Sequence, residues 1–204
     1  MSHYAGTAEV AIELTSPITP NPALGLFAIS QMPDIYLGRD RGVETYKYMN
    51  FHEMAHASHY LKAGLFWWNK LTTYEVYQIE MNLNDSDPYG DGTFPDAGYC
   101  AVAESWAEHI GASFSNFIVE DLDQLYLENG FIPRGLYWDL YDIANENWLV
   151  SDNIGGFNNS MFFEELNSRR IEEFRNRLWD DYGSNLNISG TLIDYTDLFM
   201  SYGY

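Results

Sequence analysis

The sequence predicts an α+β domain, mostly helical, with a small β-sheet at its N-terminal end. Residues 8–14, Ala-Glu-Val-Ala-Ile-Glu-Leu, alternate with period two, as a half-buried strand does. From residue 43 onward, apolar side chains recur at helical spacings instead. Of 204 residues, 46% are hydrophobic and 17% aromatic, enough to bury a core in one folded domain.

Each element has its own signal. Pro17, Pro20 and Pro22 break the chain after the first strand, and residues 23–29 and 34–37 are further short strand candidates. Residues 43–64 are predicted as a helix, with Glu44 in its first turn and Gly64 as its stop. Tyr48, Phe51, Ala55, Leu61 and Leu65 are its expected buried side. A second helix is expected over 66–83, where Trp67, Leu71, Tyr74, Tyr77, Gln78 and Met81 keep helical spacing. Residues 84–98 are a loop rich in Gly, Asp and Pro, and 98–119 read as another strong helix. Shorter helices are expected over 135–147, 161–169, 171–181 and 191–201. With no internal repeat and no long linker, residues 1–204 read as a single domain, a sheet region over 1–40 and a helical, chemistry-bearing region over 41–204.

The charge narrows the partners. Ten Lys and Arg face 30 Asp and Glu, a net charge of −20. Such a surface repels phosphate backbones, which excludes nucleic acid and favours neutral or basic partners. No apolar run approaches the ~20 residues of a membrane-spanning helix. A single cysteine, Cys100, excludes an internal disulfide. The opening residues, Met-Ser-His-Tyr-Ala-Gly, lack the charged and apolar regions of a signal peptide, so the chain is read as a mature or excised domain.

The strongest chemistry lies in Asn50-Phe51-His52-Glu53-Met54-Ala55-His56-Ala57-Ser58-His59. His52 and His56, four residues apart, stand on one face of a helix and can reach a single Zn²⁺ at roughly 2.0–2.1 Å per nitrogen. Glu53 points away around the turn, free to take a proton from a zinc-bound water. Two histidines do not complete a catalytic zinc site, which needs a third protein ligand. The helix at 98–119 offers one. Its apolar stripe is Ala103, Ala107, Ile110, Phe114 and Phe117, and the neighbouring stripe carries Cys100, Glu104, Glu108 and Gly111. Carboxylates beside an apolar face are costly to bury unless a cation meets them. Zinc on Glu104 would supply that cation, and Glu108 would then accept from the free N–H of a ligand histidine. The other reading of this stripe is a solvated acidic edge.

His52-Glu53-x-x-His56 followed by Glu104-x-x-x-Glu108 resembles the gluzincin zinc metallopeptidases, whose second helix carries a ligand glutamate and, four residues on, an acidic residue behind the ligands. Ala103-Glu104-Ser105-Trp106-Ala107-Glu108 is similar to the corresponding helix of bacterial members. The tract from Ile132 to Asp142 is similar to peptidase domains of bacterial surface lipoproteins. The likeness covers about residues 43–145 and implies a zincin-like fold, one zinc ion held by His52, His56 and Glu104, and a secreted or surface-anchored setting. Two departures stand out. The interval from His56 to Glu104, residues 57–103, is longer than in the familiar members. The family's transition-state donor has no matching motif, which leaves Tyr137, Tyr141, Tyr99 and His109 as candidates. The metzincin alternative would place Gly at position 59 and His at 62, where this chain has His59 and Lys62.

Other residues have plainer readings. His59 is expected as a packing histidine or one behind the ligands, and Cys100 as a small buried thiol. Asp85, Asp87 and Asp91, with Asp96 following, gather hard oxygens in a Gly-containing loop that could hold Ca²⁺ or be an ordinary turn. Trp67-Trp68 suits a sugar-stacking platform or the core. The function expected is a zinc-dependent peptidase in which Glu53 is the base and a peptide or protein the substrate. The alternative is a catalytically inactive surface module on the same scaffold, recognising a glycan or a protein.

Overall fold

A computed structural model of the chain describes residues 4–5, 9–12, 35–38, 43–81, 89–115, 131–142 and 153–204. These are mostly helical. Helix α1 spans Val43–Ala63, α2 Leu65–Met81, α3 Ala97–Phe114, α4 Leu136–Tyr141, α5 Asn159–Glu165, α6 Ile171–Tyr182 and α7 Leu192–Ser201. Among the described residues no helix is long and apolar enough to cross a membrane. Three short strands, β1 Tyr4–Ala5, β2 Glu9–Ile12 and β3 Ile35–Gly38, pair in the order β1-β3-β2. β1 runs parallel to β3 and β2 antiparallel to it, with Val10 opposite Leu37. The strand expected over 23–29 lies outside the described residues.

Local signals explain the helix ends. Gly64 takes the left-handed conformation (φ +81°), and its N–H bonds to the Tyr60 carbonyl at 2.9 Å. That conformation suits glycine, so α1 stops there and α2 starts one residue later. Asn158 caps α5 by accepting from Ser160 N and Met161 N. Thr191 and Asp194 form a reciprocal capping box that starts α7. Helix α4 is shorter than expected: Asp142 is extended, which ends it, and residues 143–147 lie outside the described residues. Helix α3 likewise ends at Phe114, where Ser115 turns extended.

α3 is the centre of the molecule. Every residue from Cys100 to His109 is buried, on all sides of the helix. The small residues Ala101, Ala103, Ala107, Gly111 and Ala112 let neighbouring helices close on it. Its most extensive packing is against α1. At Gly111 a Cβ would come within 2.9 Å of the Tyr48 ring and 3.2 Å of the Tyr48 carbonyl oxygen, so glycine lets the two helices close at this crossing. Beyond α3 the core mixes the fully buried aromatics Tyr137, Phe157, Phe162, Phe174, Tyr195, Phe199 and Tyr202 with aliphatic residues such as Leu136, Leu140, Leu178 and Leu198. Tyr202 Oη donates to Asp139 Oδ2 at 2.7 Å and ties the C-terminal end to α4.

The amphipathic faces differ from expectation. On α1 the buried residues are Met49, Glu53, Ala55, His56 and His59, whereas Leu61 is 65% exposed. On α3, Phe114 is 58% exposed and touches Phe51 at the end of the crossing. On the expected side Ala55 is buried, and Tyr48 and Phe51 reach Gly111 and Phe114 of α3. Glu53, His56 and His59 turn inward beside them, polar residues that apolar periodicity does not select.

Candidate metal centre

α1 presents His52 and His56 one turn apart, and α3 presents Glu104 opposite them. His56 Nε2 lies 3.2 Å from His52 Nε2. Glu104 Oε1 is 3.3 Å from His56 Nε2, and Oε2 is 3.4 Å from His52 Nε2. These three side chains form a group able to hold a metal ion, each offering one ligand atom and all of these atoms within 4.8 Å of one another. His56 and Glu104 are buried, while His52 is partly exposed. The Trp68 ring meets His56 edge-on at 5.8 Å and Tyr48 lies 5.9 Å from His52, so aromatic walls flank both imidazoles.

Glu53 is also buried, and burial pushes its carboxyl up to about 7, with His56 pulling it down and Glu104 pushing it further up. A third carboxylate, absent from the sequence reading, joins these two. Glu75 of α2 is buried, and burial together with the charges of Glu104 and Glu53 holds its carboxyl well above the usual carboxylate range. Its signal was present in the sequence: Glu75 sits inside the buried stripe Trp68, Leu71, Gln78 of α2. A carboxylate in such a stripe needs a partner.

The loop before α3 supplies a second unanticipated residue. The Tyr89 hydroxyl hydrogen-bonds the Glu104 carboxylate, and burial and that contact raise its pKa well above the usual tyrosine range. In the same loop Asp91 is exposed, and its Oδ1 accepts from Thr93 N at 3.0 Å and Thr93 Oγ1 at 2.7 Å. Asp91 thus closes a turn; Asp85 and Asp87 lie outside the described residues.

Glu108 departs from its expected role. Its partner is Arg134 Nη1 at 3.3 Å, not the ring N–H of a ligand histidine. Among the described residues nothing accepts from His52 Nδ1. Although Glu104 and Glu108 share a stripe, the helix twist and the turn before α4 give them different neighbours.

The expected donor candidates lie around α3 rather than among the three ligands. Tyr137 is wholly buried between Trp106, His109, Phe162 and Phe174. His109 Nε2 donates to Asn159 Oδ1 at 2.7 Å, and burial pushes its imidazole down to about 4. Tyr141 is 45% exposed and stacks on Trp138, and Tyr99 meets Trp67 edge-on at 4.9 Å. Cys100 is buried, in no disulfide, and outside the ligand group. Trp67 and Trp68 are core residues, so they present no open face to a sugar.

His59 is a packing histidine. It is fully buried, its Nε2 donates to the Leu166 carbonyl at 2.7 Å, and its ring lies 4.2 Å from Trp67. Burial pushes the imidazole from 6.5 down to about 3. A depressed folded-state pKa gives stability that is present above pH 6.5 and lost as pH falls toward 3. The variant His59→Gln keeps a donor but cannot titrate. Its stability deficit against wild type is expected to shrink by about 1.4 kcal/mol per pH unit as pH drops below the unfolded-state value. Urea unfolding at stepped pH measures this, and a pH-independent gap would contradict a neutral, buried His59.

No protein-family model matches this chain, and no curated protein or solved structure matches it.

Proposed function

We propose that this chain is a zinc-dependent hydrolase of gluzincin type acting on peptide bonds. The observation that supports the metal most directly is the spacing of the three ligand atoms. A tetrahedral zinc with bonds of about 2.0–2.1 Å holds its ligand atoms about 3.3 Å apart. Here the two imidazole nitrogens are 3.2 Å apart, and Glu104 turns Oε1 to His56 at 3.3 Å and Oε2 to His52 at 3.4 Å, with one ligand atom from each side chain within 4.8 Å of the others. The charge balance points the same way. The charge of Glu104 raises the pKa of Glu53, and Glu104 and Glu53 both raise that of Glu75. Burying carboxylates together is costly without a cation.

When bound, zinc would supply Lewis acidity, acidifying a water and polarising a carbonyl. The chain's own residues would do the rest. Glu53, pushed up to about 7 and one residue from His52, takes the proton of the attacking water and later hands it to the leaving nitrogen. The partly exposed His52 marks the side from which a substrate enters. The small N-terminal sheet of an α+β, zincin-like domain would align an extended peptide by backbone pairing along an edge strand. The net charge of −20 favours neutral or basic peptides over acidic ones.

Mass spectrometry of the protein prepared without added metal tests the reading. It is expected to find one zinc per chain, lost in Glu104→Ala, with hydrolysis of a mixed peptide substrate abolished by a chelator. Protein free of zinc even after incubation with the metal would overturn it.

A further inference from the structure

We propose that Tyr89 is a positioning residue for the metal centre, holding Glu104 in the orientation that faces His52 and His56. The inference rests on the zinc reading above and extends it to a residue outside any motif.

The geometry is built around one phenol. Its hydroxyl hydrogen-bonds the Glu104 carboxylate, whose two oxygens also face His56 Nε2 and His52 Nε2. A glutamate reaches a metal through three rotatable bonds, so a donor on its carboxylate limits where the oxygens sit. Hydrogen bonds to the carboxylates that ligate metals commonly orient them in this way.

Tyr89 is itself held from two sides, both on α2. Tyr74 Oη donates to the Tyr89 carbonyl. Next in the chain, Gly90 has φ +63°, and a Cβ there would fall 2.5 Å from Gln78 Oε1. That left-handed conformation favours glycine, and a side chain there would have to displace the Gln78 amide, so Gly90 sets the turn beside Tyr89. Tyr74 and Gln78 lie one turn apart on α2 and are both buried. The run from Tyr89 to Gly92 therefore serves to place a hydroxyl behind Glu104: its glycines set the turn, and Asp91 closes it through Thr93.

The test is competitive titration of Zn²⁺ into wild type, Tyr89→Phe and Tyr74→Phe, with thermal melting of each metal-free protein and visible spectra of the Co²⁺-loaded forms. Tyr89→Phe keeps the ring and removes one oxygen. It is expected to bind Zn²⁺ about 10–100-fold more weakly, with an altered Co²⁺ spectrum and a melting temperature close to wild type. Tyr74→Phe is expected to lose less affinity, in the same direction. Wild-type affinity together with a wild-type Co²⁺ spectrum in Tyr89→Phe overturns the proposal and leaves the zinc reading standing. If Tyr89→Phe does not fold, Tyr74→Phe decides, and unchanged affinity there overturns the proposal as well. A wild-type protein that binds no Zn²⁺ removes the metal reading itself, and this inference with it.

Discussion

Glu53→Gln is expected to lower peptide hydrolysis by about 10²–10⁴-fold while leaving the zinc content unchanged. Glutamine has nearly the same size and shape, so α1 and the placement of His52 and His56 survive. What it lacks is a carboxylate able to accept a proton. Glu53 suits that task because it lies beside the ligand histidines, where in the metal-free protein burial pushes it up to about 7. The same burial has a cost in stability. A carboxyl raised from 4.5 to about 7 contributes fully below pH 4.5, and that contribution is lost as pH rises through 7. Metal-free Glu53→Gln is therefore expected to gain on metal-free wild type as pH rises across this window. Steady-state hydrolysis, zinc analysis and urea unfolding of both proteins check the three statements. Hydrolysis that persists in Glu53→Gln with zinc still bound would remove Glu53 as the base.

Arg134→Ala is expected to destabilise the fold by about 3–5 kcal/mol at neutral pH, toward the low end because the arginine keeps some contact with water. Arg134 is the cation beside Glu108, whose carboxyl burial already raises and Arg134 lowers. Without it a buried carboxylate on the central helix has lost its partner. The deficit is expected to shrink on acidification. Below about pH 4.5, Glu108 is protonated in both folded and unfolded states, and its burial no longer opposes a charge. The double variant Arg134→Met with Glu108→Gln is expected to recover most of the loss, since it removes the charge along with its partner. Denaturant unfolding of wild type and the two variants measures this. Equal stability of Arg134→Ala and wild type at pH 7 would show the pair to be incidental.

Much of the helical plan was legible before any coordinates. Glycine at 64 and the Thr191/Asp194 pair mark helix ends because their effects are local: a left-handed residue stops one helix, and a side-chain cap starts another. The faces were less legible. Leu61 and Phe114 looked like core residues, yet both are exposed. α1 turns Glu53, His56 and His59 inward beside Ala55, so part of its buried side is polar and a search for apolar periodicity misses that part. Glu75 is readable as a carboxylate inside the apolar stripe of α2. Tyr89 had no periodic signal, because it sits in a loop and its partner lies fifteen residues on.

The pairing of His52 with His56 on one helical face, with Glu53 beside them, follows from their spacing in the chain. Backbone geometry alone puts residues four apart on one side of a helix. Which distant side chains complete that face depends on how separate elements pack. The packing of α3 on α1 brings Glu104 to both imidazoles, α2 adds Glu75, and the loop before α3 adds Tyr89. Glu108, four residues beyond Glu104, meets Arg134 instead. Spacing along a helix sets which residues share a stripe. What each one meets depends on how separate helices pack, and here that packing turns on close approaches such as Gly111 against Tyr48.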